Sequence, residues 1–213
     1  LRPEYGWNKE LGLRKQFRNS FFVEIGYFDF RMKEAIVRRQ NENGAEIFVN
    51  SGETVQKGLE LLLESKNFDF ENDFFSNFKF RFSGSFYNFK FKNYQQNGND
   101  FSGNDLTGVP QTTINSLLNF TFFKKLELDY SHIYTSKIPL NDANSVWSDI
   151  NLIGNIKFKF PVNFEKTRLN LYLQIQNLYN ENYVLGFDTN AFGSRYYNPA
   201  AKRNFILGMK VDF

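Results

Sequence analysis

Read in steps of two, much of this chain separates into an apolar set and a polar set. In the last ten residues, Phe205, Leu207, Met209, Val211 and Phe213 fall on one face of an extended chain. Asn204, Gly208, Lys210 and Asp212 fall on the other, with Ile206 the exception. Successive side chains of a strand point to opposite faces, so this alternation predicts a strand with one apolar side. An edge strand of a soluble sandwich would show the same pattern over so short a stretch. Residues 75–92 discriminate better. Phe78, Phe80, Phe82 and Phe86 alternate there with Lys79, Arg81, Ser83 and Ser85. Four Phe beside two cations are hard to bury in a two-layer soluble core, whereas one face in lipid and one in water accommodates them.

Taken in order, the same criterion predicts about nine strands, each bounded by turn residues. The first spans 5–15 and sets Tyr5, Trp7, Leu11 and Leu13 against Gly6, Asn8, Glu10, Gly12 and Arg14, with a turn at Arg18-Asn19-Ser20. The second, 21–36, is mixed; Val23, Ile25 and Tyr27 mark its lipid side. A polar connection, 37–45, leads to a third strand over 47–64, with Val55, Leu59 and Leu61 against Gln56, Gly58 and Glu60. Turn residues at 67–73 precede the fourth strand, and a Gly/Asn/Asp-rich loop, 94–110, follows it. Strand five carries Ile114, Leu118, Phe120 and Phe122, and a two-residue turn at Lys124-Lys125 starts strand six with Leu126, Leu128 and Tyr130. After a loop near 139–144, strand seven carries Ile150, Leu152, Ile156 and Phe158, and a turn is read at 161–166. Strand eight sets Leu169, Leu171, Leu173 and Ile175 against Asn170, Tyr172, Gln174 and Gln176, and the longest connection, 177–203, precedes the last strand.

The connections alternate too. Those after strands one, three, five and seven are short, and those after two, four, six and eight are longer. Outer-membrane barrels pair short periplasmic turns with longer extracellular loops, and a soluble meander has no reason to do so. The fold class expected is all-β, an antiparallel transmembrane β-barrel. By the same parity the last strand ends in the periplasm and the first enters from outside. Bacterial barrels usually have an even strand count. About nine strands therefore lead to the expectation that residues 1–213 are the C-terminal segment of a larger barrel. The start on Leu1, without a signal-peptide pattern, fits a processed chain or a fragment.

Composition sharpens this picture. Aromatic residues make up 19% of the chain, with 27 Phe, yet the mean hydropathy is −0.50. Alternating strands reconcile the two values. No run of about 18 apolar residues is present, which excludes a transmembrane helix. The absence of cysteine excludes disulfides and thiolate metal sites, and the single His132 excludes a multi-histidine site. The net charge of +3 gives no footprint for nucleic acid. No cofactor is expected.

Several local patterns resemble TonB-dependent outer-membrane receptors. Leu1-Arg2-Pro3-Glu4 resembles the "L-K-P-E" that opens a barrel strand in that family. Asn50-Ser51-Gly52, followed by Gly58-Leu59-Glu60, resembles its "N-x-G … G-x-E" strand. Gln176-Asn177-Leu178-Tyr179-Asn180, then Tyr183, resembles its "N-L-F-D … Y" segment, and Pro199 to Arg203 with the terminal Phe213 resembles its closing strand. The resemblance implies a barrel of about 22 strands around a plug, of which the plug and roughly the first 13 strands are not in this stretch. It implies energised uptake of a scarce solute, most often a ferric siderophore, with TonB acting through the plug. The alternative is a structural or ligand-binding component of an outer-membrane assembly without transport of its own. Phe205, Leu207, Met209, Val211 and Phe213 resemble the C-terminal signal read by the barrel-insertion machinery. The partners implied are outer-membrane lipid, the chain's own plug and earlier strands, TonB and that machinery.

Within the last long connection, Phe187, Phe192, Arg195, Tyr196 and Tyr197 suit an anionic, aromatic chelate through stacking and charge-assisted hydrogen bonds. The competing reading is that they pack the loop or join an aromatic girdle. Arg38 and Arg39 suit lipopolysaccharide phosphates or the solute, against a solvated charge pair. Lys79, Arg81, Glu60, Glu127, Asp129 and Lys157 line the polar face, either docking the plug or pairing across strands. Ser131 and His132 are adjacent in a strand and so point to opposite faces, which argues against a hydrolase.

Overall fold

The computed structural model describes all residues except 19, 42, 51, 73, 97, 165, 166 and 213, together with the side chains of 39, 40, 96, 163, 164 and 212. The expectations placed on Asn19, Ser51, Asp73, Lys166 and Phe213, and on the Arg39 side chain, lie outside the described residues. Nine strands form one antiparallel sheet in chain order: β1 (Tyr5–Phe17), β2 (Phe21–Lys33), β3 (Glu53–Ser65), β4 (Phe75–Asn93), β5 (Thr112–Phe122), β6 (Leu126–Thr135), β7 (Asn151–Phe164), β8 (Thr167–Gln176) and β9 (Asn204–Asp212). A two-residue strand, Phe68–Asp69, pairs with β4 off this path. The sheet is a partial barrel whose edges are β1 and β9.

Register collects the apolar positions into continuous rows. One row runs Leu13, Ile25, Leu61, Gly84, Ile114, Tyr134 and Leu152. Another runs Phe78, Phe120, Leu128, Phe158, Leu173 and Leu207. Apart from Phe68 and Tyr179, which lie against it near its two ends, this face is open among the described residues: Leu11 is 77% exposed and Leu207 80%. A soluble sheet would bury such a face, so its solvent is the hydrocarbon of a membrane.

The opposite face pairs its charges across strands. Arg14 meets Glu24 at 2.7 Å and Lys79 meets Glu64 at 3.4 Å. Lys159 meets Asp129 at 2.6 Å and Glu127 at 3.3 Å. Tyr87 Oη donates to Glu60 at 2.7 Å, Asn119 donates to Asp129 at 2.7 Å, and Lys157 lies over the Tyr172 ring. Cross-strand pairing thus accounts for most of the polar-face charges singled out in the sequence.

The β1–β2, β3–β4, β5–β6 and β7–β8 connections lie at one end, the turn end. Connections 34–52, 94–111, 136–150 and 177–203 lie at the other, the loop end. Local chemistry shifts several expected boundaries. β2 stops at Lys33, because Glu34 turns left-handed at φ 57°. The run expected as one strand over 47–64 divides. Glu46–Asn50 pairs with Ile36–Gln40 as a separate ribbon, replacing the polar connection expected at 37–45, and β3 begins at Glu53. Gly52 makes the break: its φ is +79°, and a Cβ there would lie 1.7 Å from the Asn93 carbonyl oxygen. The β5–β6 turn centres on Phe123 and Lys124, both at positive φ, and Lys125 N donates to Phe122 O at 3.0 Å. That is the twist-matched hairpin turn, one residue earlier than expected. Pro161 lies within β7, opposite Asn170, rather than in a turn. β6 pairs with β7 only as far as Lys159, so Pro161 sits where the missing N–H leaves no ladder unfilled on that side.

Candidate functional site: the loop layer

The protein's fully buried side chains gather at the loop end. Ile138, Leu140, Ala191 and Tyr196 form a buried cluster, with Val146 and Phe187 packed against it. Phe91 and Tyr94 are buried beside it, ring centroids 4.8 Å apart, and Phe101 lies 5.4 Å from Tyr94. The cluster draws on connections 136–150 and 177–203, so the two loops share one core.

Asp142, buried at the centre, holds three connections together. Tyr94 Oη donates to Oδ2 at 3.1 Å, and Thr107 Oγ1 donates to Oδ1 at 2.5 Å. Asn190 Nδ2 donates to Oδ1 at 3.0 Å, and the Asn190 Oδ1 accepts from Asp142 N at 2.9 Å. The Asp142 carbonyl accepts from Asn104 Nδ2 at 2.8 Å. A buried carboxylate is tolerable where several donors replace its water. Asn144 adds a two-way contact, accepting from Asp105 N at 2.7 Å and donating to Asp105 O at 3.0 Å. Backbone bonds complete the joint: Asn190 N to Leu140 O at 2.8 Å, and Gly108 N to Pro139 O at 2.9 Å.

The fourth connection joins through Arg38, which meets Glu46 at 2.9 Å and Asp188 of the last loop at 3.6 Å. Arg38 is therefore a loop-to-loop contact in addition to the solvated cation expected. At the rim of the layer, the Ser102 hydroxyl and backbone N–H both donate to Asp100 and hold its carboxyl below the ordinary carboxylate range.

The five loop residues singled out in the sequence divide into two groups. Tyr196 is buried in the cluster and Phe187 is half-buried against it, so the Tyr196 ring supports the loop and does not present a contact surface. Phe192 is 49% exposed and Tyr197 52%, and Arg195 between them is exposed. A tight 3-10 turn at Phe192–Ser194 presents this segment, with Gly193 and Ser194 both at positive φ. Tyr197 is anchored edge-on to Phe187 at 5.9 Å and so is fixed in place while exposed. Asp142, Tyr94, Thr107 and Asn190 were not singled out in the sequence. No periodicity marks them, and they read there only as loop composition.

Ser131 and His132 face opposite sides, as strand alternation requires. Asn155 donates to Ser131 on the polar face, while His132 lies on the apolar face with the Tyr179 ring edge-on at 5.8 Å. Tyr179 folds back over Gly154, and its hydroxyl meets that of Tyr130. Among the described residues no cluster of His, Asp and Glu is arranged to hold a metal ion.

The sheet and its loops match solved receptor barrels. Against the siderophore receptor PiuA from Acinetobacter baumannii the TM-score is 0.69 at 20% identity, over 96% of this chain and 28% of that one. Against BauA, the ferric preacinetobactin receptor from Acinetobacter baumannii, it is 0.72 at 15% identity, over 97% and 29%. Against FyuA, the ferric yersiniabactin uptake receptor from Yersinia pestis, it is 0.70 at 14% identity, over 98% and 29%. The chain spans less than a third of the length of each. The family model described as TonB dependent receptor-like, beta-barrel, matches residues 1–178. The chain belongs to the TonB-dependent receptor β-barrel family.

Proposed function

We propose that this chain is the C-terminal part of an outer-membrane receptor for energised uptake of a scarce solute carried as a metal chelate, a ferric siderophore above all. The observation that carries the reading is the loop layer. Three connections share one buried carboxylate and a fourth is pinned by Arg38, which fixes one rigid surface at a single end of a lipid-facing sheet. Binding a large solute from dilution favours such pre-organisation. The solved structures similar to this chain include a siderophore receptor, a ferric preacinetobactin receptor and a ferric yersiniabactin uptake receptor. In this reading the loop end faces outward and β9 ends in the periplasm, where its apolar face, Phe205, Leu207, Met209 and Val211, serves as the insertion signal. Preceding strands and a plug complete the barrel, and TonB acts through that plug.

The contact surface is Phe192, Arg195 and Tyr197, with Phe187 and Tyr196 holding them from below. Aromatic faces stack on a planar chelate and the guanidinium meets its negative charge. The test is titration of the full-length receptor with a ferric catecholate, followed by fluorescence quenching. Arg195→Ala with Phe192→Ala is expected to weaken binding about tenfold, a loss of about 1.4 kcal/mol. Unchanged affinity would reject this contact surface. Iron-limited growth on that chelate, unaffected by loss of the receptor, would reject the chelate as the solute.

A further inference from the structure

The apolar face changes character along its loop-end margin. On β1–β4, the row next above Leu11, Tyr27, Leu59 and Phe86 is Lys9, Asp29, Lys57 and Asn88. Above it come Trp7, Arg31, Val55 and Lys90, then Tyr5, Lys33 and Glu53, with Lys92 at the bulge where the β3–β4 register shifts. On β5–β8 the last positions of the same face are Thr112, Tyr134, Leu152 and Ile175, which carry no charge. The cations belong to one half of the margin.

Six cations in this patch face three carboxylates. Asp29 is shared by Arg31 at 3.4 Å and Lys57 at 3.5 Å. Glu53 is shared by Lys33 at 3.4 Å and Lys92 at 3.8 Å. Asp105, from the following loop, meets Lys90 at 3.2 Å. Lys9 and Arg31 both lie over the Trp7 ring, at 4.6 and 5.0 Å. The surplus of three positive charges equals the net charge of the whole chain, +3. The remainder of the protein is therefore neutral in sum, and its excess charge is gathered here. Arg31, Lys33, Lys57, Lys90 and Lys92 stay between 41 and 54% exposed despite their pairing. A cavity of about 330 Å³ opens among Tyr5, Trp7, Arg31, Lys33 and Lys92.

We propose that this patch and its cavity bind the phosphorylated headgroup of a glycolipid in the outer leaflet. Two cations per carboxylate leave charge that a phosphate, with three acceptor oxygens, completes by charge-assisted hydrogen bonds. The patch continues directly from the lipid-contacting face, its rows following at about 6.8 Å along the strands toward the loop end, the margin that meets the headgroups in the orientation proposed above. Tyr5 and Trp7 supply the aromatic girdle expected at that depth. A lipid already seated on the apolar face reaches the cavity without leaving the membrane, which commits the site to a lipid rather than to free phosphate. The inference rests on the outward orientation of the loop end given above.

The test uses the full-length receptor in detergent, with lipid A bearing both phosphates and the same glycolipid stripped of phosphate as probes. Native mass spectrometry reads the retained lipid. The wild type is expected to retain the phosphorylated form at least about tenfold more than the stripped form, with retention falling as salt screens the charges. Arg31→Gln with Lys33→Gln and Lys92→Gln is expected to abolish that preference. Lys137→Gln with Lys202→Gln, at the loop end but off the patch, is expected to keep it. Equal retention of both lipids by the wild type, or no salt dependence, would overturn the site. So would an unchanged preference in the triple variant. Labelling of Asn99→Cys on intact cells with an impermeant maleimide checks orientation separately: labelling is expected, and labelling only after permeabilisation would remove the premise. A receptor that binds no chelate yet keeps the phosphate preference would overturn the uptake reading alone.

Discussion

Leu207 on β9 is 80% exposed, whereas Leu140 in the loop layer has no exposure at all. The two leucines answer to different solvents. In the sheet, apolar side chains point away from the rest of the protein, and outside the basic margin of β1–β4 the charged ones pair with each other on the opposite face. In the loops, the order is that of a water-soluble protein, with an apolar cluster inside and a satisfied carboxylate at its centre. The strands need hydrocarbon to be stable, but the loops carry a core of their own. A single chain thus holds a rigid soluble surface at the end of a membrane wall, and each region is open to disruption by changes that the other would tolerate.

The largest effect is expected inside the loop layer. Leu140→Ala in the full-length receptor removes the centre of the cluster and should cost about 2–5 kcal/mol locally. Limited proteolysis is expected to cut within 136–150 and 177–203 while the barrel keeps its heat-modifiable migration; a barrel that unfolds with the loops would show that the two regions are not separable. Next comes the sheet. Leu173→Arg places a cation on the lipid face and should cost about 2–4 kcal/mol in urea-dependent folding into vesicles, whereas Gln174→Arg, one residue on, should cost far less. Equal costs would mean that the faces are wrongly assigned. Asp142→Asn keeps the shape but turns one acceptor oxygen into a donor, facing either Tyr94 or the Thr107–Asn190 pair, at about 1–3 kcal/mol. Faster hydrogen exchange is expected in all three connections together, and exchange confined to 136–150 would refute the joint. The smallest effect belongs to Lys159→Gln, whose half-hydrated pairs with Asp129 and Glu127 should contribute no more than about 1 kcal/mol.

How much of this was legible in the sequence follows from the same contrast. Strand faces are written locally, with a period of two, and the register assembles Phe78, Phe80 and Phe82 with Leu118, Phe120 and Leu128 on the side that alternation assigns them. The boundary shifts came from single residues whose backbone demands compete with hydropathy. Ile47 and Val49 read as strand and are strand, but Gly52 detaches their ribbon from the sheet. Pro161 reads as a turn, but the end of the β6 ladder lets it stay in a strand. The loop layer was legible only in part. Phe187, Arg195 and Tyr197 stand out by chemical type, while the burial of Tyr196 depends on Ile138 and Leu140 from another connection. Asp142 meets Tyr94 and Asn190 across separations of 48 residues on either side, a distance at which no local pattern operates. The basic patch was missed for a related reason. Lys9, Arg31, Lys57 and Lys90 each look like an ordinary surface charge until register puts them side by side.

The Asp142 joint also bears on how such a receptor changes over generations. Surface loops usually drift independently, each accepting insertions without reference to its neighbours. Here Asn104 and Thr107 of one loop, Asp142 of the second and Asn190 of the third must match as a set. Lineages under pressure from phage or antibodies would find variation tolerated at the tip around 98–100 and purged at the joint. The same division guides engineering, since an epitope tag belongs beside Asn99 and not between Asn104 and Thr107.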